Sequence, residues 1–332
     1  MVKTCFPVTY STLSPEGLMA QALPQYDLGT VRSCQFWCRG LSDVYLVEAK
    51  HQGVISRYVL RVTHAHWRSH PEVAFELDLL EFYRSQALPV AYALPTRSGE
   101  FLIPIQALEG VRYAALFVYA PGGVAVGDLS PVQSHILGET LARCHQAGQD
   151  FESKFERSPL SVDYLLAESL DAIAPFFHDR PADLKFLTEV VVELQTELRS
   201  LPQDWPYWTV CWGDPHSGNV HFVDRSPTLF DFDQCAYGWR AFDVAKFFQV
   251  GVRGGISLQL RQAFLNGYQS IAPLADWELE NIRRFTQASH LWSWSIALIN
   301  AQLHDYSRLD GHYFSQRLEQ LKRLRSPDCQ LY

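Results

Sequence analysis

The chain has 332 residues, 47% hydrophobic and 19% charged, with a formal net charge of −8. That composition predicts a folded globular protein with room for two lobes, and an acidic balance without a Lys/Arg-rich run argues against a general nucleic-acid binder. No run of 18 apolar residues occurs, the amino terminus lacks a signal-type apolar segment, and the seven cysteines contain no Cys-x-x-Cys pair. These features predict a cytoplasmic protein with no membrane span, disulfide framework or zinc knuckle.

In chain order, Ser14-Pro15-Glu16 opens a helix that Pro24 stops. Short apolar runs at Gln35–Trp37, Val44–Val47, Tyr58–Val62, Phe101–Ile103 and Ala115–Tyr119 then predict the strands of one antiparallel sheet. Between the first two runs, Arg39-Gly-Leu-Ser-Asp43 is a small-residue turn whose backbone N–H groups can lean over phosphates, with Ser42 as its cofactor-binding candidate. Such turns as often simply reverse the chain.

His70-Pro-Glu opens the next helix, and Val73, Glu76, Leu79, Leu80 and Tyr83 share one face. Glu76 thus lies in an apolar stripe, where a carboxylate is costly unless a cation meets it. Arg61, on the opposite strand face from Leu60 and Val62, is the natural partner. His64, His66 and His70 follow no zinc spacing and are expected to face solvent.

After Tyr119, Ala120-Pro-Gly-Gly-Val124 reads as a hinge, about 117–123. It divides the chain into lobes 1–119 and 124–332. Helices are predicted near 131–148, 161–175, 182–200, 241–252, 257–270, 276–302 and 312–325.

The most informative segment is Val210-Cys-Trp-Gly-Asp-Pro-His-Ser-Gly-Asn-Val-His-Phe222, followed by Thr228-Leu-Phe-Asp-Phe-Asp233. Gly213, Pro215 and Gly218 predict a tight loop around Asp214, and two short strands, 220–223 and 228–230 joined through 224–227, bring Asn219 towards Asp231. Phosphoryl transfer needs positioning and charge neutralisation more than covalent chemistry. A magnesium-type ion takes hard oxygen ligands, here the Asn219 carbonyl and the Asp231 carboxylate. Asp214 is placed to accept the proton of an attacking hydroxyl.

This segment resembles the His-Gly-Asp-x-His-x-Gly-Asn…Ile-Asp-Phe-Asp motif of the aminoglycoside phosphotransferase and choline kinase superfamily. Asp214, His216, Gly218, Asn219 and Asp231 match, whereas Trp212 stands in place of the usual His. The resemblance implies an α+β, two-lobe, protein-kinase-like fold with a small antiparallel β lobe and a larger, mainly helical lobe. It makes Asp214 the catalytic base and Asn219 and Asp231 the metal ligands. Arg61 and Glu76 take the roles of the phosphate-contacting lysine and its helix glutamate, with Arg for Lys as a departure. The backbone of Phe117, Val118 and Tyr119 would hold adenine.

By the same resemblance His145 packs and hydrogen-bonds, Asp243 caps a helix or ties down the catalytic loop, Trp212 braces that loop by packing, and Tyr237, Trp239, Trp292 and Trp294 lie where the acceptor pocket is built. The implied activity is transfer of the γ-phosphoryl group of ATP, with Mg2+, to a hydroxyl of a small molecule. The chain looks most similar to type II homoserine kinases and the bacterial stress-response kinase. The first expected acceptor is an amino alcohol or an amino acid such as homoserine, and the second an aminoglycoside-like natural product. A serine/threonine protein kinase and a nucleotide-binding pseudokinase scaffold are the alternatives.

Overall fold

A computed structural model describes residues 6–123, 129–301 and 306–332. Val124 of the expected hinge and residue 302 at the end of an expected helix lie outside the described residues. The chain forms two compact units: Met1–Pro121 with Ser153–Arg157, and Gly122–Glu152 with Ser158–Tyr332. The fold is the expected one, with a small antiparallel sheet in the first unit and a mainly helical second unit.

The first unit opens with helix α1 (Pro15–Gln21), whose Ser14 hydroxyl accepts from the Gly17 N–H at 3.0 Å. Strands β1 (Thr30–Arg39), β2 (Ser42–His51), β3 (Val54–Thr63), β4 (Ile103–Ala107) and β5 (Gly110–Val118) pair antiparallel in the order β1-β2-β3-β5-β4. The strands outrun the apolar runs in the sequence because their polar ends pair as well. Glu48 and Arg57 are partners across β2 and β3, and the Arg57 guanidinium donates to the Glu48 carboxylate at 3.1 Å. Leu18, Tyr26, Tyr45, Val47, Leu60, Val62, Ile103 and Leu116 belong to the core of this unit.

Helix α2 (His70–Ser85) buries Val73, Phe75, Glu76, Leu79, Leu80 and Tyr83. Its start is fixed by Pro71 and by the Glu72 carboxylate, which accepts from the Ser69 N–H at 2.9 Å.

The Arg39–Asp43 turn is tied from below. Arg112, fully buried, donates to the Asp43 carboxylate at 2.8 Å, to the Thr63 carbonyl at 2.7 Å and to the Ser11 carbonyl at 2.7 Å, and the Tyr10 hydroxyl also donates to Asp43. His64 departs from expectation. It is buried, with Nε2 3.7 Å from Asp43, while His66 and His70 are exposed. An aspartate buried under the turn draws the imidazole inward, which spacing alone does not reveal.

In the second unit the helices are α3 (Pro131–Ala147), α4 (Glu168–Ile173), α5 (Pro181–Leu198), α6 (Arg240–Gly254), α7 (Leu258–Ile271), α8 (Asp276–Ile299) and α9 (Gly311–Arg325). The segment expected as one helix over 161–175 is broken into a π-helical turn, Asp163–Ala167, then α4, then a 3-10 turn, Ala174–Phe177. Pro175 withdraws an N–H from the last of these. Strands β6 (Trp208–Cys211) and β9 (Ala236–Trp239) pair antiparallel, as do β7 (Val220–Val223) and β8 (Ser226–Leu229).

The β7–β8 turn is tighter than expected. Pro227 lies within β8 opposite Phe222, and the reversal falls on Asp224-Arg225, with Asp224 at φ 54°. A two-residue hairpin needs positive φ, which Asp tolerates, and Pro is harmless on an unpaired strand edge. No helix among the described residues is long and apolar enough to cross a membrane.

Helices α3 and α7 cross through glycine. A Cβ on Gly267 would lie 1.9 Å from the His135 carbonyl oxygen, and one on Gly138 would lie 2.0 Å from that of Phe264. Because both obstacles are backbone, Gly267→Ala is expected to cost about 1–3 kcal/mol through forced backbone shifts. Gly254→Ala, with nothing within 4 Å of the new methyl, serves as control and should change stability by less than about 0.5 kcal/mol. Equal urea midpoints for the two variants would refute the close crossing.

Candidate active site

The loop after β6 carries Asp214. Gly213 holds φ 86°, and a side chain there would meet the Gln234 carbonyl at 2.1 Å, so this position requires glycine. The backbone N–H groups of Trp212 and Gly213 both donate to the Asp243 carboxylate, at 2.7 and 2.9 Å. Asp243, in the first turn of α6, is fully buried. Its Oδ2 also meets His145 Nε2 at 3.0 Å, and His145 Nδ1 meets the Tyr268 hydroxyl at 2.8 Å. With Asp243 as acceptor, Nε2 carries a proton. A chain of buried hydrogen bonds from α7 through α3 and α6 thereby fixes the loop that presents Asp214.

Asp243 does not cap its helix through a side-chain bond but ties down the loop. His145, Cys211 and Asp243 place possible metal donors within 4.8 Å of one another. However, both Asp243 oxygens accept backbone N–H groups, burial pushes the Cys211 thiol well above its usual range, and its sulfur lies 3.4 Å from the Trp239 carbonyl. This cluster is a structural brace.

Trp212 braces the loop in two ways. Its ring stacks on Phe232 with centroids 5.1 Å apart, and its indole N–H donates to the Asp231 carbonyl at 3.0 Å. The sequence predicts the packing but not the hydrogen bond, which ties the segment carrying Asp214 to the segment carrying Asp231. Asp231 itself sits at φ 59° with its side chain exposed.

Asn219 is buried at the foot of β7. Its amide nitrogen donates to the Asp214 carbonyl at 3.1 Å, and its own backbone carbonyl accepts from the Phe230 N–H at 3.0 Å. Asn219 thus lies opposite Phe230, next to Asp231. Its side-chain nitrogen is committed to the loop, which leaves the side-chain oxygen as the atom that could take a cation. A hard carbonyl oxygen beside an exposed carboxylate fits a divalent cation of the Mg2+ type.

The Asp214 carboxylate meets a lysine and a histidine. Lys246 Nζ, on the buried face of α6, is 3.2 Å from Oδ1, and His216 Nε2 is 3.5 Å from Oδ2. Burial raises the Asp214 pKa, but the Lys246 ammonium and His216 outweigh it and hold the carboxyl well below its ordinary value. Lys246 in turn has its pKa lowered by burial, against the pull of Asp214, and donates to the Ser293 hydroxyl of α8 at 2.5 Å. Nothing in the motif singles out Lys246. Its signal is a lysine in the otherwise apolar stretch Val244-Ala-Lys-Phe-Phe248, three residues after Asp243.

Of the residues expected around the acceptor, Trp239 and Trp294 are core side chains, and the Trp239 indole donates to the Pro202 carbonyl at 2.8 Å. The Tyr237 hydroxyl donates to the Phe151 carbonyl at 2.8 Å. Trp292 is buried but has Lys246 Nζ 5.5 Å from its ring centroid.

In the first unit, Arg61 Nη2 donates to Glu76 Oε2 at 2.5 Å, with both side chains buried, and the guanidinium lies 4.8 Å from the Phe117 ring. The second Glu76 oxygen has no hydrogen-bond partner. Ser42 is buried, with its hydroxyl unpartnered, at the head of β2. The Val118 N–H is already committed to the Tyr92 carbonyl at 3.0 Å, because residues 92–94 run along the edge of β5. That N–H is therefore not available to another acceptor. Tyr119 stacks on Trp37 at 6.2 Å.

Residues 38–280 match the profile of the phosphotransferase enzyme family. An uncharacterized protein of Synechocystis sp. is 50% identical over 98% of this chain and 90% of its own length. A homoserine kinase of Rhodospirillum rubrum is 27% identical over 81% of this chain and 80% of its own. Among solved structures, the amicoumacin kinase hAmiN in complex with AMP-PNP, Ca2+ and Ami superposes with a TM-score of 0.77 at 21% identity, covering 93% of this chain and 92% of that one. The microcompartment-associated aminopropanol kinase gives 0.73 at 20% identity, covering 92% and 94%.

Removing the Lys246 cation tests the electrostatics of the site. A depressed carboxylate pKa keeps the charged form populated down to low pH, so charge is lost only as pH falls through the folded-state value. In Lys246→Met the Asp214 carboxylate loses its main counter-charge. The acid limb of kcat/KM should then move upward by more than about one pH unit. An unmoved limb would show that Lys246 does not set the titration of Asp214.

Proposed function

The chain belongs to the phosphotransferase enzyme family, whose kinases use ATP and Mg2+, and we propose that it transfers the γ-phosphoryl group of ATP to a hydroxyl of a small molecule with Asp214 as catalytic base. The observation that carries this reading is the loop geometry. Asp214 is held ionised and partly exposed at the tip of a loop whose backbone is pinned by Asp243, one side-chain hydrogen bond away from Asn219. In the reaction the acceptor oxygen forms a bond to the γ-phosphorus, the bond from that phosphorus to the β–γ bridging oxygen breaks, and ADP leaves. Asp214 accepts a hydrogen bond from the acceptor hydroxyl, orients it in line and takes its proton late.

Asn219 and Asp231 would hold the divalent cation, which when bound neutralises the charge on the nucleotide phosphates. Arg61 would contact the nucleotide phosphates, braced by Glu76. An arginine keeps its charge in a buried pair and offers a second edge for phosphate oxygens. The Trp212 substitution supports an active enzyme over an inert scaffold, since the indole supplies a hydrogen bond to the Asp231 segment. The homoserine kinases and the aminopropanol kinase among the similar proteins support an amino acid or amino alcohol as the acceptor class. Dependence on ATP supports a cytoplasmic setting for the reaction.

Asp214→Asn tests the central assignment. The change keeps the shape of the side chain and removes the base, so acceptor-dependent ADP release with Mg2+ should fall by about 10²- to 10⁴-fold with the fold intact by circular dichroism. Turnover equal to wild type would remove Asp214 from the mechanism. Arg61→Ala is expected to raise the KM for ATP by about tenfold or more, the loss of a charge-assisted contact of about 1.5–3 kcal/mol. An unchanged KM would reduce Arg61 to a structural partner of Glu76.

A further inference from the structure

The surroundings of Asp214 are cationic in a chain that is acidic overall. Lys246 touches Asp214 directly, and Arg253 lies seven residues further along α6, on the same helical face. Arg253 interacts electrostatically with both Asp214 and Arg317 of α9. Among the described residues neither guanidinium forms an ion pair: that of Arg317 lies 5.3 Å from the Tyr313 ring, and Arg253 is exposed. His290 of α8 adds no charge. Burial first, then Arg317, Arg253 and Lys246, push its pKa down to about 3, and its Nε2 donates to the Arg317 carbonyl at 3.0 Å. Asp243, the other carboxylate acting on Lys246, is fully committed to backbone N–H groups and His145.

Unused hydrogen-bonding groups lie on the same two helices. Gln249, between Lys246 and Arg253 on α6, is 1% exposed, and neither of its amide atoms has a partner. Ser289, one turn before Ser293 on α8, has its hydroxyl buried without a partner, while its carbonyl accepts from the Ser293 hydroxyl at 2.7 Å. Buried polar groups left unpaired cost stability unless a ligand or water completes them. Among the described residues, three cations against one available carboxylate would repel a polycation and attract an anion.

We infer that the acceptor is a hydroxyl compound carrying an anionic group, most simply a carboxylate, which docks against Arg253 and Arg317 while its hydroxyl faces Asp214. This rests on the reading of Asp214 as the base. It narrows the acceptor class to hydroxy acids, including zwitterionic amino acids, and away from purely cationic amino alcohols and aminoglycosides. Lys246 keeps Asp214 ionised, and the two arginines select the acceptor.

The test compares matched pairs that differ only in the acid group, homoserine with 3-aminopropanol and 4-hydroxybutyrate with 1-propanol, alongside an aminoglycoside, using the full chain with ATP and Mg2+. The acid of each pair should show a kcat/KM at least about tenfold higher, the discrimination expected of one charge-assisted contact. In the Arg253→Gln/Arg317→Gln double variant the KM for the acid should rise about tenfold or more while the KM for ATP stays put. A wild type that prefers the amino alcohol or the aminoglycoside, with turnover still lost in Asp214→Asn, overturns the anionic acceptor and leaves the kinase reading standing. Asp214→Asn as active as wild type instead removes Asp214 as the base, the assignment on which this proposal rests. Calorimetric titration of the ADP-bound protein with malonate, a dicarboxylate with no hydroxyl to phosphorylate, reads the subsite without turnover. Wild type should bind it and the double variant should not. No binding to wild type, or equal binding to both, overturns the proposal.

Discussion

The Asp243 carboxylate, buried at the start of α6, organises the second unit around two backbone N–H groups. By accepting from Trp212 and Gly213 it fixes the residue before Asp214 and the one before that. A carboxylate with this many donors is strongly held, because hydrogen bonds to a charged acceptor are worth more than neutral ones and the low-dielectric interior amplifies them. The His145–Tyr268 relay behind it, on α3 and α7, ties the loop to the helix pair that crosses at Gly138 and Gly267. Loop position and helix packing are therefore one mechanical system.

Charge follows the same arrangement. Asp214 would be a poor base if burial were left to act alone, since burial favours the neutral acid. The Lys246 ammonium reverses that preference, and the penalty falls on Lys246, whose own pKa is lowered by burial. The ion pair keeps the carboxylate ready to accept a proton while leaving one side of it partly exposed to an acceptor. In the first unit the Arg61–Glu76 pair follows a different logic. One Glu76 oxygen takes the guanidinium and the other is buried without a partner. Such an arrangement keeps the arginine charged and oriented even though it stabilises the fold little.

The loop around Asp214 and the hairpin that follows it were legible in the sequence except at the turn between the two strands. Glycines and prolines around Asp214, apolar alternation before and after Asn219, and the Asp-Phe-Asp end of the second run all have local causes, so the loop and hairpin follow from adjacent residues. The strand and helix periodicities mark the sheet and most helices for the same reason. Boundaries shift where pairing overrides a local rule. The β7–β8 reversal falls on Asp224-Arg225 alone, with Ser226 and Pro227 drawn into β8, because a proline on an outer strand edge costs no hydrogen bond. The Val118 N–H is taken by the Tyr92 carbonyl, which lies in a segment with no strand signal of its own.

The order of residues alone carries the local chemistry: which residues form the loop, which carboxylates and amide lie at its corners, and which family that spacing resembles. What each of those groups meets is set by the folded chain. Lys246 is on a different element from Asp214, and its ammonium reaches the carboxylate only because α6 packs beneath the loop. His64 is buried by an aspartate on a neighbouring strand, and the Trp212 indole donates a hydrogen bond to the carbonyl of Asp231, beyond the whole hairpin. Local backbone preference is written in neighbouring residues, whereas desolvation and charge depend on groups that approach one another only when the chain has folded.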